Sequence, residues 1–137
     1  MAKETNIATQ QKLGDIITAR EVSRLGEAFH ADVVDHDPAP DASAGLAGIQ
    51  EFWSSFLEAF PDLDLSVETL VADDEQVTAV FTIHGTHTGP FQGAEPTGKS
   101  FTVRGIQVAK FNDEGLIVER WGATDEAGLQ KQLGLDS

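Results

Sequence analysis

The stretch that most constrains this chain is 101–134, FTVRGIQVAKFNDEGLIVERWGATDEAGLQKQLG. Two long strand-like runs flank Asn112-Asp113-Glu114-Gly115, and a short helical segment follows. Gly115 can take the left-handed conformation that ends a three-residue hairpin loop with a bulge. Such a loop sets the pairing of the strands it joins. On that pairing Asn112 faces Leu116, Gln107 faces Trp121 and Val103 faces Asp125. One face then carries Phe101, Val103, Gln107, Ala109 and Phe111 with Ile117, Glu119, Trp121 and Asp125. The other carries Thr102, Arg104, Val108 and Lys110 with Val118 and Arg120. An apolar face holding a glutamine, a tryptophan and two carboxylates has the make-up of a small-molecule pocket.

With 137 residues the chain is expected to form a single domain, 1–137, with a core that needs no staples. It has no cysteine, which removes disulfides and thiolate metal sites. The N-terminal MAKETNIATQQ lacks the apolar core of a signal peptide. No run approaches the ~18 apolar residues at which a membrane span is suspected. These observations lead to the expectation of a soluble, cytoplasmic protein. The formal charge of −14 argues against nucleic acid or an anionic membrane as partner. The same charge fits either ordinary solubility or a salt-rich host.

The spacing of Ile7, Leu13, Ile16 and Ile17 predicts a helix over 6–20, and a second short helix over 21–29. ADVVD at 31–35 reads as a short strand, which His36-Asp37-Pro38 ends. The clearest helix is 46–60. Gly48, Phe52, Phe56 and Phe60 repeat at four, Ile49, Trp53 and Leu57 fill the adjoining stripe, and Pro61 stops it. Its rings are core residues first, and some are also expected to wall a cavity. Alternation predicts strands at 63–72 and 76–87, and the Gly- and Pro-rich 88–99 is a loop. The closing helix is 126–133, ended by Gly134. Helices followed by antiparallel strands make an α+β fold, a curved sheet wrapped on the N-terminal helices, with space left at one end.

Several residues stand out chemically. Asp125 sits where strand meets helix, so it is either the N-cap of 126–133 or, beside an apolar wall, an acid/base group. His36 ends a strand and is either a loop residue or a proton shuttle. His84 and His87 fall on opposite faces of a regular strand and have no third ligand at metal spacing, so no metal is expected. His87 shares phase with Phe81 and Ile83, which makes it the pocket candidate of the two. Glu119 is a carboxylate on the pocket face that needs a partner. Gly98-Lys99-Ser100 lacks the glycine spacing and the strand–turn–helix setting of a phosphate loop.

An ordered set of short motifs runs through nearly the whole chain. They are Val34-Asp35-His36-Asp37-Pro38, Gly48-Ile49 with Phe52 and Phe56, and Phe60-Pro61-Asp62. Gly85-Thr86-His87-Thr88-Gly89, Pro96-Thr97-Gly98-Lys99 and Arg104-Gly105-Ile106 continue it, and Ile117-Val118-Glu119-Arg120-Trp121, Asp125 and Gln132-Leu133-Gly134 close it. In this set the chain resembles the SnoaL-like polyketide cyclases, or ester cyclase group, of the nuclear transport factor 2-like superfamily. The resemblance implies a cone-shaped α+β barrel, a homodimer and an elongated hydrophobic pocket. It also implies intramolecular aldol closure of an aromatic polyketide without metal or cofactor. Asp125 matches the family's catalytic aspartate, and His36 matches a cavity-facing position. Gln107 and Phe111 occupy the strand where a histidine partner would stand.

The expectation is therefore an acid/base catalyst without cofactor, acting on a small apolar carbonyl compound. Asp125 and His36 would be the catalytic pair. Trp53, Phe56, Phe81, His87, Val103, Gln107, Glu119 and Trp121 would bind substrate. A non-catalytic binder of a small hydrophobic or aromatic molecule, and a hydrolase or isomerase on the same scaffold, stay open.

Overall fold

In the computed structural model, which describes residues 2–135, the predicted order of elements is present. Helix α1 (Ala2–Thr18) buries Leu13, Ile16 and Ile17 on one face. A six-residue 3-10 helix (Val22–Glu27) replaces the expected second α-helix and buries Leu25. Strand β1 (Phe29–Asp35), helix α2 (Gly45–Ala59), β2 (Asp64–Ala72) and β3 (Gln76–Thr86) follow. Strand β4 (Ser100–Phe111), β5 (Ile117–Thr124) and α3 (Glu126–Leu133) complete the chain.

The fold is α+β: N-terminal helices lie against a curved, unclosed five-stranded sheet of order β1-β5-β4-β3-β2. Four strands pair antiparallel, but β1 pairs parallel to β5. That pairing corrects the all-antiparallel expectation. The chain between β1 and β5 includes α2 and three strands, long enough for the return a parallel pair requires. Helix α1 crosses β2 and β3, and Thr9 Oγ1 donates to Gly115 O at 2.7 Å, tying it to the β4–β5 hairpin. Helix α2 packs on β1 and the 3-10 helix, and α3 packs on β4. The aromatic series of α2 reaches the sheet at its end, where Phe60 and Phe101 meet edge-to-face with centroids 4.7 Å apart. Leu25, Phe60, Phe101, Ile117 and Leu133 are all but sealed from solvent and form the middle of the core.

The hairpin loop is the one the sequence predicts. Gly115 has φ 76°, its N–H donates to Asn112 O, and Asn112 Oδ1 accepts from the N–H groups of Glu114 and Leu116. Phe111 faces Ile117 as expected. The next pair is Lys110 with Glu119, not Val118, so Val118 is an extra residue in β5. A β-bulge of this kind moves every later side chain to the other face. Gln107 consequently faces Gly122, Ala109 faces Arg120, and Trp121 faces Val108.

Candidate functional site

A cavity of about 810 Å³ lies between the concave face of the sheet and the three α-helices. Its wall is mainly apolar: Ile17 from α1, Phe52, Trp53 and Phe56 from α2, and Leu70 and Phe81 from the sheet. Gly105 makes room for one of these. A Cβ there would stand 2.7 Å from the Phe81 ring, so glycine lets that ring lie across the strand.

Three polar side chains meet on this wall. Because of the Val118 bulge, Arg120 points inward on β5, beside Gln107 of β4 and Asp35 at the end of β1. Its Nε donates to Gln107 Oε1 at 3.0 Å and its Nη1 donates to Asp35 Oδ1 at 2.5 Å. The Arg120 and Asp35 side chains are each 18% exposed, which makes this the most enclosed ion pair among the described residues. Asp35 Oδ1 also accepts from the Asp37 N–H at 3.0 Å, and Asp37 Oδ2 accepts from the Gly122 N–H at 2.8 Å. The guanidinium packs against Gly122, where a Cβ would fall 2.0 Å from Nη2. Neither Asp35 Oδ2 nor Arg120 Nη2 has a partner among the described residues, and neither is sealed in the protein. The site therefore offers a free carboxylate oxygen and a free pair of N–H donors, on side chains paired with each other, on one apolar wall.

Of the residues singled out from sequence, Trp53, Phe56, Phe81 and Gln107 line the cavity. The other six do not. Trp121 faces outward, and its ring stacks on His36 with centroids 4.5 Å apart and planes 5° from parallel. His36 Nε2 donates to Glu119 Oε1 at 3.0 Å, and Lys110 Nζ stands 3.8 Å from the other Glu119 oxygen. His36, Glu119 and Trp121 thus share the outer face, Glu119 and Trp121 placed there by the bulge and His36 by the alternation of β1, in which Asp35 points inward. Val103 faces inward but is packed in the core at 5% exposure. His87 lies just past the end of β3 and is fully buried between Phe60 and Phe91. Its Nδ1 accepts from the Thr97 N–H, and its Nε2 has no partner among the described residues. Phe91, which does line the cavity, stands in front of it.

Asp125 caps α3: its Oδ1 accepts from the Gly128 N–H at 2.8 Å. Thr124 and Glu126 on either side of it reach the cavity wall, but Asp125 does not. The charged cluster that sequence reasoning missed is Asp35, Asp37 and Arg120. Its only sequence trace is the pair of aspartates before Pro38 and an arginine inside an otherwise strand-like run. Among the described residues, no three His, Asp or Glu side chains gather in a way that could hold a metal ion. No helix among them is long and apolar enough to cross a membrane.

Known structures share this architecture. TsrD from Streptomyces laurentii is 25% identical with a TM-score of 0.82, covering 93% of this chain and 96% of its own. IdmH from Streptomyces antibioticus is 26% identical with a TM-score of 0.81, covering 94% and 98%. A SnoaL-like polyketide cyclase from Agrobacterium tumefaciens is 20% identical with a TM-score of 0.77, covering 94% and 98%, a likeness of fold. Among curated proteins nothing matches. The family profile described as SnoaL-like polyketide cyclase matches residues 7–133, from the first helix to the last, and the chain belongs to that family.

Proposed function

We propose that this protein is an acid/base catalyst that enolises a small, largely apolar carbonyl compound and closes a ring by intramolecular aldol addition. The observation that carries the reading is the chain Asp35–Arg120–Gln107 on the wall of an apolar cavity. Asp35 Oδ2 takes the proton next to the carbonyl. The C–H electrons become the enolate double bond, and the carbonyl oxygen gains the charge. Arg120 Nη2 donates hydrogen bonds to that oxygen, which is where charge develops in the transition state. The enolate carbon then adds to a second carbonyl of the same molecule, and the new alkoxide recovers the proton from Asp35. Gln107 and Asp37 hold the pair in place, so the donors need no reorganisation as the charge appears. General acid/base work of this sort supplies ~10²–10⁴ in rate, enough for a substrate whose proton is already activated. In this mechanism Asp35 takes the part that the family resemblance gives to Asp125.

Exchange of the activated proton tests the chemistry without knowledge of the natural substrate. In D2O the protein should accelerate deuterium uptake next to the carbonyl of 2-tetralone, followed by NMR. Asp35→Asn should cut that acceleration by ~10²-fold or more, with the ketone still bound. Binding without exchange in the wild-type protein would instead support a non-catalytic carrier. We also propose a homodimer through the outer face of the sheet, where Val34 and Val71 are 50% and 69% exposed.

A further inference from the structure

The cavity is uneven in charge. Asp15 of α1, Glu126 of α3 and Asp37, all solvent-exposed, stand at its rim, Asp35 is half-buried on its wall, and Arg120 is the one cation lining it among the described residues. That cation is already matched, because Asp35 stands 2.5 Å from Nη1. Arg120 thus presents donors to a neutral carbonyl without presenting a net positive charge to an anion. The Asp15 and Glu126 side chains form no ion pair and accept no hydrogen bond among the described residues. The remaining wall includes the rings of Phe52, Trp53, Phe56 and Phe91, with Phe52 itself 40% exposed. Aromatic faces attract cations and repel anions.

We infer that this site selects its ligand by charge. It accepts an uncharged carbonyl compound, favours one that carries a protonated amine away from the carbonyl, and turns away carboxylates, sulfonates and phosphates. This inference rests on the reading of the cavity as the ligand site. The physical basis is that a cavity of one sign, walled by low-dielectric side chains, focuses its field on whatever enters. An anion would pass a rim of exposed carboxylates and leave water for an apolar chamber whose only guanidinium among the described residues is already paired. An ammonium group would meet unpaired carboxylates and ring faces instead.

The test uses three naphthalenes of matched size: 1-naphthylmethylammonium, 1-naphthylmethanol and 1-naphthoate, each titrated calorimetrically into the protein at low salt. The ammonium should bind tightest and the carboxylate weakest, with ~10-fold between them, and 1 M salt should compress that range. The double variant Asp15→Asn/Glu126→Gln should narrow it to about threefold. Asp113→Asn/Glu114→Gln removes the same charge from the hairpin loop, away from the cavity, and should leave the range unchanged. Equal affinity for all three, or tightest binding of the carboxylate, overturns the inference while the cavity remains a ligand site. The same narrowing in the loop variant traces the preference to the net charge of the whole protein and also overturns it. Failure of all three to bind would remove the ligand-site reading itself.

Discussion

Arg120 and Trp121 are adjacent in sequence, as are Asp35 and His36, yet each pair is divided between the two faces of the sheet. The inner members form the Asp35–Arg120–Gln107 chain on the cavity wall. The outer members form the His36–Trp121 stack, with Glu119 hydrogen-bonded to the imidazole. Both assemblies set a carboxylate against a nitrogen base and anchor it from a neighbouring strand. They differ in what surrounds them. The inner ion pair is 18% exposed on each side, and the outer hydrogen-bonded pair, His36 with Glu119, is 37% and 32% exposed. Enclosure makes an ion pair costly to break and makes its free donors effective, whereas an exposed pair is screened and contributes little. Position relative to the sheet, more than residue type, therefore decides which of two similar constellations can do chemistry.

The largest expected effect follows from that difference. Arg120→Met leaves the Asp35 carboxylate without its partner on an apolar wall, and should lower stability by about 2–3 kcal/mol. The double variant Asp35→Leu/Arg120→Met removes both charges and should recover most of that loss, while activity stays absent. His36→Ala, which breaks the outer pair, should cost under about 1 kcal/mol. Urea denaturation of the four proteins gives these values directly. If the inner and outer single variants lose the same amount, the contrast between the faces does not hold.

The outer face is next. If a second copy covers it, Trp121→Glu places a charge in that contact and should reduce the mass in light scattering from dimer to monomer at micromolar concentration. Ligand binding in the cavity should not change, since Trp121 points away from it. A wild-type protein of monomer mass would defeat the dimer proposal, and a variant that loses cavity binding would show that the faces are coupled.

The sequence made some of this legible and hid the rest for identifiable reasons. The aromatic repeat of α2 and the Asn112–Gly115 loop are strong local signals, and both elements form as read. The bulge at Val118 leaves no such signal. In IVERWGAT, Glu119 and Arg120 put a charge on each face, so the pattern fits either phase equally well. Register is specified only where one face is plainly apolar, and here neither is. Trp53, Phe56, Phe81 and Gln107, the singled-out residues that line the cavity, lie on elements other than β5, where the slip has no effect. The parallel pairing of β1 joins residues far apart in the chain, as in Asp35 with Arg120, 85 positions on, and no local pattern encodes it. His87 misses the cavity because Phe91, from the loop after β3, packs over it, and no local pattern encodes the path of that loop.

The smallest expected effect concerns Asp125, for which the family resemblance and the geometry point different ways. As the cap of α3 it needs only an oxygen that can accept the Gly128 N–H. Asparagine supplies that oxygen nearly as well as aspartate, and alanine does not. A cap therefore predicts that Asp125→Asn changes stability by no more than a few tenths of a kcal/mol, and that Asp125→Ala costs about 1 kcal/mol. It also predicts that deuterium exchange into 2-tetralone continues in both, once corrected for the fraction folded. A catalytic base predicts the opposite ranking: asparagine would be folded and inert, because an amide keeps the shape but takes no proton. Arg120, Asp35 and Gln107 would then serve to orient the ligand, and the reacting carboxylate would lie at the strand–helix junction, off the cavity wall as it stands. Exchange by the Asp125→Asn protein at a rate within a few fold of wild type, with Asp35→Asn inert beside it, would assign the base to the inner face of the sheet.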